Sequence, residues 1–162
     1  ANEFTVLVAP NTFVGANLDG YTKRGVLIGP AFSYERDDGD EWTKSRFSGG
    51  YIHDNGETGF DLNGDPINKD RGFIEWRHNQ HWDDAFTLNA VVSLWSDSEV
   101  MRDFRPGYFD NNQKPDNWAE ASWDVGTFQF SAFTRFRPND FQVIRQRIPE
   151  LRMDLMPSSE NN

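Results

Sequence analysis

FTLNAVVSL, residues 86–94, alternates in type along its whole length. Phe86, Leu88, Ala90, Val92 and Leu94 fall on one side. Thr87, Asn89, Val91 and Ser93 fall on the other, with Val91 the single apolar residue out of phase. A period of two belongs to a β-strand, whose successive side chains point to opposite faces. The pattern recurs in both directions. In 127–137, Phe128, Phe130, Ala132, Thr134 and Phe136 oppose Gln129, Ser131, Phe133, Arg135 and Arg137. In 24–34, Val26, Ile28, Phe32 and Tyr34 share a face. Weaker runs lie at 4–14, 43–53, 72–82, 117–123 and 150–155, which makes about eight strands. Helical periodicity is missing. The best candidate, FQVIRQRIPELRMDL (141–155), is interrupted by Pro149, which breaks helices and extends the residue before it.

The connections between these runs carry a second pattern. ERDDGDE (35–41) is short, 54–70 is long, WDD (82–84) is tight, 96–115 is long and DVG (124–126) is tight. Antiparallel neighbours joined in that order place all short turns at one end and all long loops at the other. Outer-membrane barrels are built that way, with strands of ~9–11 residues, whereas soluble strands average ~5–6. A soluble sandwich can share the loop order, so both architectures stay open at this point.

Composition narrows the classes. The 162 residues carry a net charge of −10, which argues against nucleic acid as a partner. No cysteine is present, so disulfides and thiolate ligands are absent from this chain. No apolar run approaches the ~18–20 residues of a membrane helix. A mean hydropathy of −0.76 is still compatible with a barrel, where only alternate residues face lipid. Aromatic residues make up 15% of the chain, which suits a barrel with aromatic girdles or a sugar-binding β-domain. The chain starts at Ala1 with no signal segment, so a mature chain or a piece of a longer one is expected.

Candidate chemistry is thin. Asp61, Asn63 and Asp65 resemble the start of a calcium loop, but Pro66 replaces the required glycine and Gly72 the closing acid. His78 and His81 lie three apart on a strand and so point to opposite faces, which prevents a paired metal site. Asp97 and Glu99 offer a carboxylate pair of the glycosidase kind, and Ser96 and Ser98 lack a nucleophile elbow. The expected protein is therefore not an enzyme and uses no cofactor or metal. Trp42, Trp76, Trp82, Trp95, Trp118 and Trp123 cluster near strand ends, as interface girdles do.

Four blocks carry a more specific resemblance: RGFIEWRHNQHW (71–82), WSDSEVMRDFRP (95–106), NNQKPDNWAEA (111–121) and FSAFTRFRPNDFQVIRQRIPELRMDLMP (130–157). In order and spacing they resemble the barrel of the lipopolysaccharide-assembly outer-membrane protein family (LptD, also called OstA or Imp). LVAPNTF (7–13) is similar to that family's first barrel strand. The likeness implies a curved open segment, the N-terminal third of an outer-membrane barrel of about 26 strands. A periplasmic jellyroll and the remaining strands would lie outside residues 1–162. It implies insertion of lipopolysaccharide into the outer leaflet of the bacterial outer membrane. The partners implied are lipopolysaccharide, membrane lipid, an LptE-like plug lipoprotein and an LptA-like periplasmic bridge.

Residue by residue, Ser96, Asp97, Ser98, Glu99, Arg102, Asp103, Phe104, Arg105 and Pro106 correspond to a family-signature extracellular loop. Its charges are expected to pair locally, over packed Val100, Met101 and Phe104. Phe86, Leu88, Val92, Leu94, Phe128, Phe130 and Phe136 are expected to face lipid, and Arg135 and Arg137 the lumen. Pro10, within the first strand, is expected to weaken pairing at a lateral gate. The rival expectations are a soluble secreted β-sandwich that binds carbohydrate through its tryptophans, and a glycan-active enzyme using two loop carboxylates.

Overall fold

The alternating runs resolve into nine strands in the computed structural model, which describes residues 2–156. They are β1 (Glu3–Ala9), β2 (Thr12–Tyr21), β3 (Gly25–Asp37), β4 (Trp42–His53), β5 (Asp70–Trp82), β6 (Phe86–Trp95), β7 (Trp118–Val125), β8 (Phe128–Arg135) and β9 (Arg147–Leu155). Each pairs antiparallel with the next, giving one up-and-down sheet in sequence order that does not close. The outer edges of β1 and β9 are open. Pro157, the end of the stretch that carries the resemblance, lies outside the described residues.

The ninth strand comes from a division the alternation conceals. Residues 4–14 read as one strand, but Ala9 pairs with Thr12 across a two-residue turn. Proline with its fixed φ, followed by Asn11 at φ 60°, is the sequence signature of a type II turn. Pro10 therefore sits at a hairpin corner, and the expectation that it lies inside a strand is corrected. Its missing N–H falls in the turn, where the ladder does not need it.

The connections sort by length. Residues 10–11, 38–41, 83–85 and 126–127 close one end of the sheet, all in short turns. Residues 22–24, 54–69, 96–117 and 136–146 close the other, and the long loops are all there.

Register then gives each face its character. Across β4, β5 and β6, Arg46 opposes Arg77, Ser48 opposes Glu75, which opposes Ser93, and Asn79 opposes Asn89. These residues share a polar face with Asn17 and Asp19 of β2, Glu120 of β7 and Gln129 of β8. The opposite face carries Val14, Leu18, Val26, Ile28, Phe32, Phe47, Ile74, Trp76, Val92, Trp123, Phe130 and Met153. Among the described strand residues, charge appears on that face only at its margins, at Arg36 and Asp70. Much of it is uncovered: Val26 is 57% exposed and Leu155 71%. His78 and His81 do fall on opposite faces.

The polar face is concave. Arg46 of β4 reaches Glu3 of β1 at 3.5 Å. Asn17 Nδ2 of β2 donates to the Gly49 carbonyl of β4 at 2.9 Å, over the top of β3. Neighbouring strands stand ~4.8 Å apart, so such contacts demand a bend. The bend is at Gly29–Pro30, where a Cβ on Gly29 would come within 2.1 Å of the Gly49 carbonyl oxygen. No side chain fits there. Gly29→Val should therefore lower the urea midpoint of the full-length protein by an amount equivalent to about 1–3 kcal/mol or more. Gly20→Ala, at a position where a Cβ would meet nothing within 4 Å, should leave the midpoint in place.

Candidate functional site

The buried apolar cluster of this sheet lies on its polar face, at the long-loop end. Leu27, Ile52, Phe73 and Trp95 rise from β3 to β6, and Val100, Met101, Phe104 and Phe141 come down on them from the loops. The loop after β6 forms two short helices, α1 (Val100–Phe104) and α2 (Pro106–Phe109). At five and four residues they are too short to show a 3.6-residue period, so alternation analysis passes over them. Local chemistry starts and divides them. The Asp97 carboxylate accepts the Glu99 N–H at 3.0 Å, and Pro106 occupies the first turn of α2, where a missing N–H costs nothing. Burying Val100, Met101 and Phe104 stabilises the docked loop by roughly 1.5–3 kcal/mol for each side chain. Their expected packing is met, with each at most 1% exposed.

The expected local charge pairing is met only by Glu99 with Arg102. The other charges reach into the sheet. Arg71 of β5, 1% exposed, holds Asp97 in a two-pronged grip, with Nε to Oδ2 at 2.9 Å and Nη2 to Oδ1 at 2.6 Å. Its Nη1 donates to Asp103 at 2.7 Å and Asp54 at 3.1 Å. Arg24, in the β2–β3 turn, donates Nη2 to Asp54 at 2.5 Å and to Asp103 at 2.9 Å. Both guanidinium groups stand over the Phe104 ring, at 4.6 Å and 5.0 Å from its centre. Two cations thus serve three carboxylates and one ring. The Arg24 hydrogen bonds hold the Asp54 carboxyl down at about 2, against the opposing effect of burial. Burial pushes Asp103 up, but its hydrogen bonds to Arg71 and Arg24 outweigh that and leave it lowered.

A second set of contacts ties the loop to the sheet's centre. Arg105 pairs with Asp19 of β2. Tyr21 donates its hydroxyl to the Phe104 carbonyl at 2.5 Å. Glu75 of β5 accepts from Trp95 Nε1 at 2.5 Å, Tyr108 Oη at 2.6 Å and Ser93 Oγ at 2.8 Å. Burial and then Glu75 push the Tyr108 hydroxyl up to about 12. Two asparagines from the resembling blocks finish β6. Asn117 accepts the Ser93 N–H at 2.8 Å, and Asn139 accepts the Trp95 N–H at 3.0 Å. They take over the β6 edge beyond Val91–Trp118, the last registered pair between β6 and β7.

The structure places the remaining expected residues clearly. Phe86, Leu88, Val92, Leu94, Phe128 and Phe130 are in register on the apolar face. Phe136 follows β8 and is 40% exposed. Arg135 lies on the polar face, opposite Trp118, in a two-pronged pair with Asp116 at 2.6 Å and 2.8 Å. Arg137 is past the end of β8, so its assignment to a strand face is corrected. Asp97 and Glu99 are engaged by Arg71 and Arg102, which leaves no free carboxylate pair there. Asp61 turns inward on its own loop and accepts the Asn63 and Asp65 N–H groups at 2.8 Å and 2.9 Å. Trp82 and Trp123 stand on the apolar face beside short turns, whereas Trp95 is buried under the loop. The sequence reading did not single out Arg24, Arg71, Asp54 or Asp19. Their one signal was charge at strand ends beside a loop of mixed charge.

The site is thus an amphipathic β-sheet whose polar concave face is capped by a docked loop. No protein-family model matches the chain, and no curated protein or solved structure matches it significantly.

Arg71→Met leaves Asp97 without a cation and takes from Asp54 and Asp103 one of the two guanidinium groups that hold them, and breaking a buried pair from one side costs about 3–5 kcal/mol. Hydrogen exchange on the full-length protein should show residues 96–109 losing protection while β7 and β8 keep theirs. Acid gives a second readout. A carboxyl lowered in the folded state stabilises it above the unfolded value near 4, and that contribution fades as pH falls toward 2. Trp95 fluorescence should therefore report loop release between about pH 4 and pH 2. Asp54→Asn should flatten that transition.

Proposed function

We propose that this chain is part of an outer-membrane β-barrel that inserts lipopolysaccharide into the outer leaflet of the bacterial outer membrane. The observation that carries the reading is the sheet's apolar face, convex, uncovered and free of charge between its margins. In water such a face is a liability on this scale, and in a bilayer it is a requirement. The loop asymmetry agrees, since barrels of this kind keep short turns on the periplasmic side and long loops on the cell surface. The open edges of β1 and β9 would pair with further strands, because bilayer-spanning sheets must close.

The division of labour follows from the two faces. The apolar face meets lipid, with Phe86, Leu88, Val92, Leu94, Phe128 and Phe130 among its residues and Phe136 just beyond the end of β8. The polar face lines the lumen, where Arg135 and the other arginines meet a phosphorylated glycolipid head. The loop of Ser96, Asp97, Ser98, Glu99, Arg102, Asp103, Phe104, Arg105 and Pro106 caps the lumen from the cell surface. Pro10, at a short turn beside the open β1 edge, retains a place near the seam. The whole protein would take its cargo from an LptA-like bridge and hold an LptE-like lipoprotein plug. This reading ranks above a soluble carbohydrate-binding sandwich because a sandwich needs a second sheet over the apolar face, and none is present among the described residues.

Fractionation of the full-length protein tests the location, and detergent-dependent recovery with outer membranes is expected. Val26→Arg puts a cation on the lipid side at a cost of up to ~2–4 kcal/mol, set by its depth in the bilayer. It should reduce barrel assembly, read as loss of the heat-modifiable folded band. Ser131→Arg, on the polar face, should assemble normally. Recovery of the wild-type protein in the soluble fraction without detergent would end the transport reading.

A further inference from the structure

We propose that the cavity beneath α2, on the polar face, binds the phosphate group of a phosphorylated sugar. The cavity holds about 510 Å³ and is lined by Arg46, Arg77, Arg105, Tyr108 and Asn112, with Glu3 and Glu75 also on its wall. Three features converge there. Arg46 and Arg77 are direct cross-strand neighbours in the β4–β5 register, a like-charge pairing that destabilises a sheet on its own. Arg77 has no carboxylate partner among the described residues; its Nη2 donates to Asn112 Oδ1 at 2.7 Å and approaches Tyr108 Oη at 3.4 Å. Arg105 is 8% exposed and pairs through Nη1 with Asp19, while its Nη2 has no hydrogen-bond partner. An unpartnered guanidinium N–H in a buried position costs free energy that an anion would recover.

The acids facing the cavity do not cancel this. Glu75 is occupied by three neutral donors, Trp95, Ser93 and Tyr108. Glu3 meets Arg46 only at 3.5 Å, and that arginine's side chain is 72% exposed. Asp19 is engaged by Arg105. A phosphate bridging Arg46 and Arg77 would relieve their repulsion through charge-assisted hydrogen bonds, which guanidinium forms in pairs. Tyr108 and Asn112 add neutral polar groups suited to the hydroxyls of an attached sugar. Because Arg105 and Tyr108 belong to the capping loop, an occupied cavity would also hold that loop down.

The source of the phosphate, a glycolipid head passing through the lumen, rests on the transport reading above. Calorimetric titration of the full-length protein in detergent with glucosamine 1-phosphate tests the site. Binding is expected, with glucosamine itself failing to bind. Arg77→Gln and Arg46→Gln should each weaken binding by about tenfold or more. Arg46 is the safer variant for folding, since its side chain is exposed, and hydrogen exchange of residues 96–109 will confirm that the loop is still docked. Equal binding of glucosamine, no binding, or unchanged affinity in both variants would overturn the proposal. Displacement of the probe by lipopolysaccharide micelles supports the glycolipid source, and retention of the probe would overturn that source. A soluble protein that binds the probe in an Arg77-dependent way would sink the transport reading and leave the anion site standing.

Discussion

Keeping charge off one face of a nine-stranded sheet is the constraint on which everything else here depends. With that face apolar, the polar groups of nine strands must share the other. Charge therefore concentrates on a concave surface, where neighbouring side chains face each other across the bend. A charge that is buried on such a surface needs hydrogen-bonding partners. The structure meets that demand with ion pairs that cross from strand to loop: Arg71 to Asp97 and Asp103, Arg24 to Asp103, and Arg105 to Asp19. The loop docks because the strands it covers carry the opposite charges and a small apolar floor.

The cap is also specific in a way a hydrophobic plug would not be. Val100, Met101 and Phe104 could pack against several apolar patches. The two-pronged Arg71–Asp97 contact allows one register. Buried ion pairs add little net stability relative to apolar replacements, because desolvation offsets most of the attraction. Their effect here is on placement. They hold α2 over the cavity and set Tyr108 against Glu75 at 2.6 Å.

Much of the strand architecture was legible because alternation is a local property. The parity of Phe86–Leu94 and of Phe128 and Phe130 against Arg135 placed these residues on their faces without any knowledge of partners. Loop lengths conveyed the sorting of turns from loops. Two things were hidden. The Pro10–Asn11 turn lies inside a run of residues compatible with an extended strand, and only pairing of Ala9 with Thr12 exposes it. The helices of the capping loop are one turn each and stand on contacts from outside themselves.

The candidate site divides along the same line. Its loop half, Ser96 to Pro106, stood out as a charged and aromatic interruption between strands. Its sheet half did not, since Arg24, Arg71, Asp54 and Asp19 look like ordinary strand-end charges. By itself the sequence determined an antiparallel β-chain with one apolar and one polar face, since side-chain parity needs only neighbouring residues. Tertiary structure alone decided which charges meet, because Arg71 lies 26 positions from Asp97 and Arg105 lies 86 from Asp19. Contacts across such separations are set by register and curvature: Arg71 meets Asp97 because β5 and β6 are registered neighbours, and Asp19 of β2 reaches Arg105 of the loop across the concave face.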